Sequence, residues 1–232
     1  MMELKKPVLT TAEDLEKLIE NIKTGGLTIV ENSSVFGTEF TLYFFKAFSE
    51  KNGIPLVIED IFDTLPVYAT HLKLMGFSPG MKDVNVIKVG GSQEVGNVVG
   101  RIEFEEDPNV YQRKLERELE KLSYERYIHL VLGLERLLVF QKGIYNTYTL
   151  LNLIRRKLGS RRSKNVYIIE RPVVEKLKFN PLPFLEDIAT SVVQLSDEEE
   201  LVKIRFRKSP FTLLAHKGHI LISPREIVRW WE

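Results

Sequence analysis

Leu27-Thr28-Ile29-Val30-Glu31-Asn32-Ser33-Ser34-Val35-Phe36-Gly37-Thr38-Glu39 passes from a short apolar run through a polar turn into a segment of helical period. Leu27 to Val30 reads as a strand. Phe40, Phe44, Phe45 and Phe48 recur at a spacing that gives a helix over 38–51 one buried face. Upstream, Gly25 and Gly26 stop an earlier helix striped by Leu15, Leu18, Ile19 and Ile22, and Thr10 and Glu13 stand at capping-box spacing at its start. Downstream, Gly53 ends the aromatic helix and Leu56-Val57-Ile58 begins the next apolar run.

The same alternation continues along the chain. Thr64 before Leu65 and Pro66 starts a helix that ends at Gly76, since proline is tolerated in a first turn. Residues 84–89 read as a strand, and 98–105 alternate with Ile102 and Phe104 on one face. Gly90, Gly91 and Gly96 lie between them, so the pair reads as a hairpin-like excursion. A charged helix with Tyr111, Leu115, Leu119 and Leu122 inside precedes an apolar strand at 128–132. A helix over 144–158, with Ile144, Tyr148, Leu151, Ile154 and Leu158 on one side, leads to a strand at 166–169. Short apolar runs separated by helices predict parallel strands covered on both faces. In the tail, Val202, Ile204 and Phe206 alternate with Lys203, Arg205 and Arg207, which predicts antiparallel strands added at one end. We expect one α/β domain over 1–232, a three-layer sandwich.

Composition narrows the function classes. The 232 residues carry 33 Lys+Arg against 32 Asp+Glu, a net charge of +1, so any polyanion partner would need a local basic patch. The absence of cysteine excludes disulfides, thiolate catalysis and thiolate metal sites. Four Met among many Lys, Glu, Ile and Val fit a thermophile. Charges recur from Glu3 to Glu20, unlike a signal peptide, and no 18-residue apolar run occurs, so a cytoplasmic protein is expected.

Ligands of open parallel sheets bind at the carboxyl ends of strands, which directs attention to the turn after Val30. A phosphate-binding loop there has Gly, four residues, then Gly-Lys-Ser/Thr. Asn32 stands in place of the first glycine, Gly37 matches the second, Thr38 takes the lysine's position and Glu39 that of the magnesium-binding hydroxyl. With its strand–loop–helix context, the segment 25–76, the strand 128–132 and Leu185-Glu186-Asp187-Ile188-Ala189 before a late strand resemble the core of the RecA/KaiC-type ATPases. Over its full length the chain resembles a small archaeal family from Pyrococcus and Thermococcus, domain of unknown function 257. The resemblance implies core strand order 5-1-4-3-2 and helices on both faces. It implies no established activity. The metal-holding aspartate should follow strand 128–132, but Gly133 stands there and Glu135 comes two positions later.

Other candidates have plainer explanations beside them. Glu59, Asp60 and Asp63 could hold a metal or polarise water, or be solvated loop acids with Asp63 or Thr64 capping a helix. His216 and His219 flank Lys217-Gly218 without a third ligand in view, so no metal is expected. His71 and His129 sit among apolar residues and read as packed side chains. Arg155, Arg156, Lys157, Arg161, Arg162 and Lys164 form the strongest basic cluster, either a phosphate-backbone contact or cations at a helix end and its solvated loop. Phe36 is either an exposed anchor or packed under a neighbouring loop, and Trp230 and Trp231 either serve an interface or dock a terminal helix. We therefore expect no catalytic residues, cofactor or bound nucleotide, and a protein or peptide partner at Asn32, Ser33, Ser34, Phe36, Gly37, Thr38 and Glu39, with homo-oligomers compatible. The alternatives are a KaiC-type ATPase with an unorthodox site, and a nucleic-acid-associated recombinase relative using the basic cluster.

Overall fold

Strands made of apolar runs bury both faces, and that requirement sets the architecture. The computed structural model describes residues 8–9, 16, 19–20, 22–78, 80–210 and 219–223, and holds one ten-stranded sheet. β2 (Leu27–Asn32), β3 (Leu56–Ile61) and β6 (Tyr127–Leu132) are buried at every position. The others are β1 (Val8–Leu9), β4 (Asn85–Val89), β5 (Asn97–Ile102), β7 (Ser163–Glu170), β8 (Ser191–Glu198), β9 (Leu201–Lys208) and β10 (His219–Ile222). Their order is β1-β10-β9-β8-β2-β7-β6-β3-β4-β5. Taken alone in chain order, β8-β2-β7-β6-β3 run 5-1-4-3-2, the RecA-like arrangement. From β8 to β5 the pairings are parallel, and β9 pairs antiparallel with both β8 and β10.

Helices cover both faces. α1 (Gly37–Asn52) and α2 (Thr64–Leu74) pack Phe40, Phe45, Phe48, Leu65 and Leu72 on one side with Val30, Ile58 and Leu130. The other side holds α3 (Pro108–Glu120), α4 (Leu134–Val139), α5 (Gly143–Arg155), α6 (Arg171–Val174) and α7 (Leu182–Ile188), packed on Ile29, Val57, Val131 and Ile169. Among the described residues, no helix is long and apolar enough to cross a membrane.

Several local expectations change. The hairpin-like excursion is a parallel pair: β5 runs alongside β4 after only the segment Gly90–Gly96, although parallel crossovers usually take about a dozen residues or more. Gly90 and Gly91 adopt positive φ, 65° and 71°, which lets the chain reverse at once. Asp63 then pins the crossover by accepting the amides of Ser92 (2.8 Å) and Gln93 (3.1 Å). Asp63 thus stands at the N-cap position of α2 without a capping side-chain hydrogen bond, and the Thr64 hydroxyl donates to the Ile61 carbonyl. Asp60 instead accepts the Leu65 amide at 2.8 Å. The acids Glu59 and Asp60 are not solvated loop residues but buried members of β3, each 1% exposed. In α5 the buried face is Thr147, Leu150, Leu151, Leu153 and Ile154, while Ile144 and Tyr148 point outward and Tyr148 packs edge-on against Phe184. The stripe of Leu15 and Leu18 with its Thr10 and Glu13 cap, and His216, Lys217-Gly218, Trp230 and Trp231, lie outside the described residues. Ile19 is described, and is buried.

Lys88 closes this edge. Its ammonium, buried in β4, pairs with Asp60 (2.6 Å) and Asp63. Burial acts to raise the Asp63 carboxyl, but the Lys88 ion pair and the Ser92 and Gln93 amides hold it below the usual range. Lys88→Met leaves two carboxylates without a counter-ion and should cost about 3–5 kcal/mol in chemical denaturation. Adding Asp60→Asn should recover part of that loss. A single-variant cost under about 1 kcal/mol would refute this role.

Candidate functional site

The carboxyl ends of β2 and β7 lie side by side, with Asn32 opposite Glu170 in register. Asn32 organises the loop that follows. Its Oδ1 accepts the Ser34 amide at 3.1 Å, and its Nδ2 donates to the Ser34 carbonyl and to the Glu170 carboxylate, both near 3.0 Å. The side chain comes so close that a Cβ on residue 37 would sit 2.2 Å from Oδ1, which explains Gly37. The loop's other donors also turn to the chain itself. The Ser33 amide donates to the Leu195 carbonyl (2.9 Å), the Val35 amide to Asp197 Oδ2 (3.0 Å), and the Ser34 hydroxyl to Asp197 Oδ1 (2.5 Å). At the first turn of α1, the Thr38 hydroxyl donates to Glu170 at 2.6 Å, and from α2 the Tyr68 hydroxyl does so at 2.9 Å. Convergent donors before a helix N-terminus suit an anion, and here the Thr38 hydroxyl serves Glu170 while the Ser34 hydroxyl and Val35 amide serve Asp197.

Two more acids stand around Glu170. Glu39 is 2% exposed, with His71 Nδ1 2.7 Å from its Oε1; burial raises its pKa, opposed by the His71 hydrogen bond. His71 is therefore half-exposed and paired rather than packed away. Glu135 in α4 is 4% exposed. Burial foremost, with the neighbouring Glu170 charge, pushes its carboxyl up to about 7, against its own amide, Arg136 and the Glu170 amide. Among the described residues its Oε2 has no hydrogen-bond partner. Burial and all three carboxylates raise the Tyr68 phenol, which stays a neutral donor. At the mouth, Val35 and Phe36 are 72% and 40% exposed, with Phe36 edge-on to Phe40.

The remaining candidates separate. Glu59 faces the opposite side of the sheet, where it accepts from the Tyr111 hydroxyl and lies 3.1 Å from His129 Nε2. His129 is buried. Asp60 and Asp63 share Lys88. Among the described residues, no group of three His, Cys, Asp or Glu is placed to hold a metal. The basic cluster divides as well. Arg162 donates to the Leu122 and Tyr124 carbonyls and lies 5.9 Å over the Tyr127 ring. Lys164 donates to the carbonyls of Ile19 and Glu20, and burial lowers the pKa of Lys157. Arg155, Arg156 and Arg161 remain exposed. Arg161, with Lys23, Thr24, Arg126, Gly159 and Ser160, lines a cavity of about 440 Å³ at the amino ends of the strands.

The sequence reading missed Glu170, Asp197 and Tyr68. The available signal was an acid at the carboxyl end of each strand neighbouring β2, Glu170 on β7 and Asp197 on β8.

The Glu135 carboxyl gives a signed pH prediction. Its folded pKa lies above the ordinary 4.5, so the folded state binds more protons between about 4.5 and 7 and stability falls as pH rises through that window. The loss should reach about 3 kcal/mol if the shift is fully expressed. Glu135→Gln should therefore be more stable than wild type at pH 8, by denaturant unfolding, with the difference vanishing near pH 4. An advantage over wild type no larger at pH 8 than at pH 4 would contradict it.

With the geometry in place, comparison with known proteins gives the family. Residues 17–216 match the family described as "Pyrococcus protein of unknown function, DUF257". The solved Pyrococcus horikoshii OT3 protein PH0250 is similar at 26% identity and TM-score 0.76, covering 93% of this chain and 98% of its own. The KaiC-like protein PH0186 of the same organism is similar in fold at 12% identity and TM-score 0.58, over 85% of this chain and 89% of its own. Flagellar accessory protein FlaH from Methanocaldococcus jannaschii shares the fold at 14% identity and TM-score 0.54, over 92% of each chain. No curated protein matches the chain in sequence. The chain belongs to the Pyrococcus DUF257 family and carries its RecA-like α/β fold.

Proposed function

We propose that this protein is a RecA-like module that has lost nucleotide chemistry and binds a polypeptide segment at the carboxyl ends of β2 and β7. One observation carries the proposal: the donors that would receive a phosphate, at Asn32, Ser34, Val35 and Thr38, already serve Glu170 and Asp197. The β2–α1 loop is then a degenerate phosphate loop. Thr38 offers no point charge in the lysine's place, and losing one such transition-state donor typically costs about 3 kcal/mol. A carboxylate about 4 Å from a phosphate adds repulsion of about 4 kcal/mol at an effective dielectric near 20. Micromolar affinity is only about 8 kcal/mol in all.

What remains suits a peptide. Ser33 lies exposed beside Val35 and Phe36, a polar edge next to an apolar one. Peptide sites combine main-chain hydrogen bonding with a few side-chain anchors.

Two measurements test this. Phosphate release from Mg-ATP at elevated temperature should stay at background; one turnover per minute, lost on Glu135→Gln or Glu59→Gln, would overturn the reading. Phe36→Ala should weaken binding of a peptide selected from a random display library by about 1–3 kcal/mol while leaving the melting temperature nearly unchanged. Unchanged binding, or a lowered melting temperature with no binding defect, would refute the anchor role.

A further inference from the structure

We propose that the bound polypeptide presents an arginine or lysine side chain to the carboxylates of Glu39, Glu135 and Glu170; this rests on the peptide reading above and names the chemistry of the segment. Three elements, α1, α4 and β7, bring these acids around Tyr68 of α2. Their partners are almost all neutral. Glu170 is held by the Asn32 amide and the Thr38 and Tyr68 hydroxyls, and among the described residues neither it nor Glu135 has an ion-pair partner. His71 serves Glu39. Arg136, the cation whose field reaches Glu135, donates to the Phe62 carbonyl at 2.8 Å. Glu135 is 96% buried, and its Oε2 accepts from none of the described residues. Carboxylates removed from water need a proton, a hydrogen bond or a counter-ion, and among the described residues Glu135 and Glu170 lack the counter-ion.

The geometry points to an organic cation. No group of three His, Cys, Asp or Glu among the described residues is placed for a metal, whereas a guanidinium carries five N–H donors in a planar fork that serves carboxylates two at a time. Its alkyl stem can lie along apolar surface, and Val35 and Phe36 supply that surface in the same loop. Protonation should oppose binding. Glu135 is faced by Glu170 from β7, Tyr68 from α2 and Arg136 of its own helix, and burial pushes its carboxyl up to about 7. A cation favours its ionised form, so binding should release a proton and tighten about tenfold from pH 6 to pH 8.

The test is an NMR titration of the isotope-labelled full-length protein with N-acetyl-arginine amide and with its neutral isostere N-acetyl-citrulline amide, then with a display-selected peptide and its citrulline or norleucine counterpart. We expect shifts at Thr38, Tyr68 and Glu170 with the arginine compound and at least tenfold weaker binding of the citrulline one. The pH dependence should flatten in Glu135→Gln; the wild-type isostere comparison decides the matter even if that variant fails to fold. A peptide that binds the same residues and tolerates loss of its basic side chain overturns this inference and leaves the peptide reading standing. Arginine-amide binding without any peptide binding overturns the polypeptide source, and no shift at the cluster with any ligand overturns both.

Discussion

The carboxylate of Glu170 is gripped from three directions: by Asn32 at the end of β2, by Thr38 in the first turn of α1, and by Tyr68 on α2. A carboxylate at this depth must have its lone pairs satisfied, and each donor comes from an element whose position is set by other packing. The hydrogen bonds therefore fasten the carboxyl ends of two central strands to the two helices on one face. Asp197 does the same from the other neighbour of β2, holding the Ser34 hydroxyl and the Val35 amide. The loop between β2 and α1 is thus closed on both sides by acids of its own chain.

That closure depends on β8, the fifth strand of the core. β8 is parallel to β2, and its antiparallel partner β9 sets Asp197 opposite Val202 next to the turn. The core strand next to β2 thus supplies a residue to the loop, and the added β9 pairs with it on the outside. At the far edge, the buried Lys88 does comparable work for the short β4–β5 crossover by holding Asp63 where it can accept two crossover amides.

Much of this was readable in advance for a definite reason. Apolar runs such as Leu56-Val57-Ile58 and 128–132 have no polar alternation because both faces are buried, and glycines mark where the chain turns; together these predict parallel strands and helices on both sides. The strand–loop–helix around Gly37 was legible too. Its occupants were not, because Asn32 and Glu170 are 138 residues apart and Ser34 and Asp197 are 163 apart, and nothing local in sequence records such a pairing. The acids of β3 were misread for a related reason: Glu59 and Asp60 look solvated in sequence, but Tyr111 and Lys88 reach them from distant elements. In α5 the apolar stripe holds at Leu151 and Ile154 and fails at Ile144 and Tyr148, where Phe184 of α7 offers an edge contact in place of the sheet.

The most direct measurement of the central claim is a crystal structure of the protein grown with magnesium and a non-hydrolysable ATP analogue. The account predicts that Glu170 stays bound to Asn32, Thr38 and Tyr68, with no phosphate density in the loop 32–38. Phosphates cradled there, with Glu170 displaced from its three donors, would contradict it.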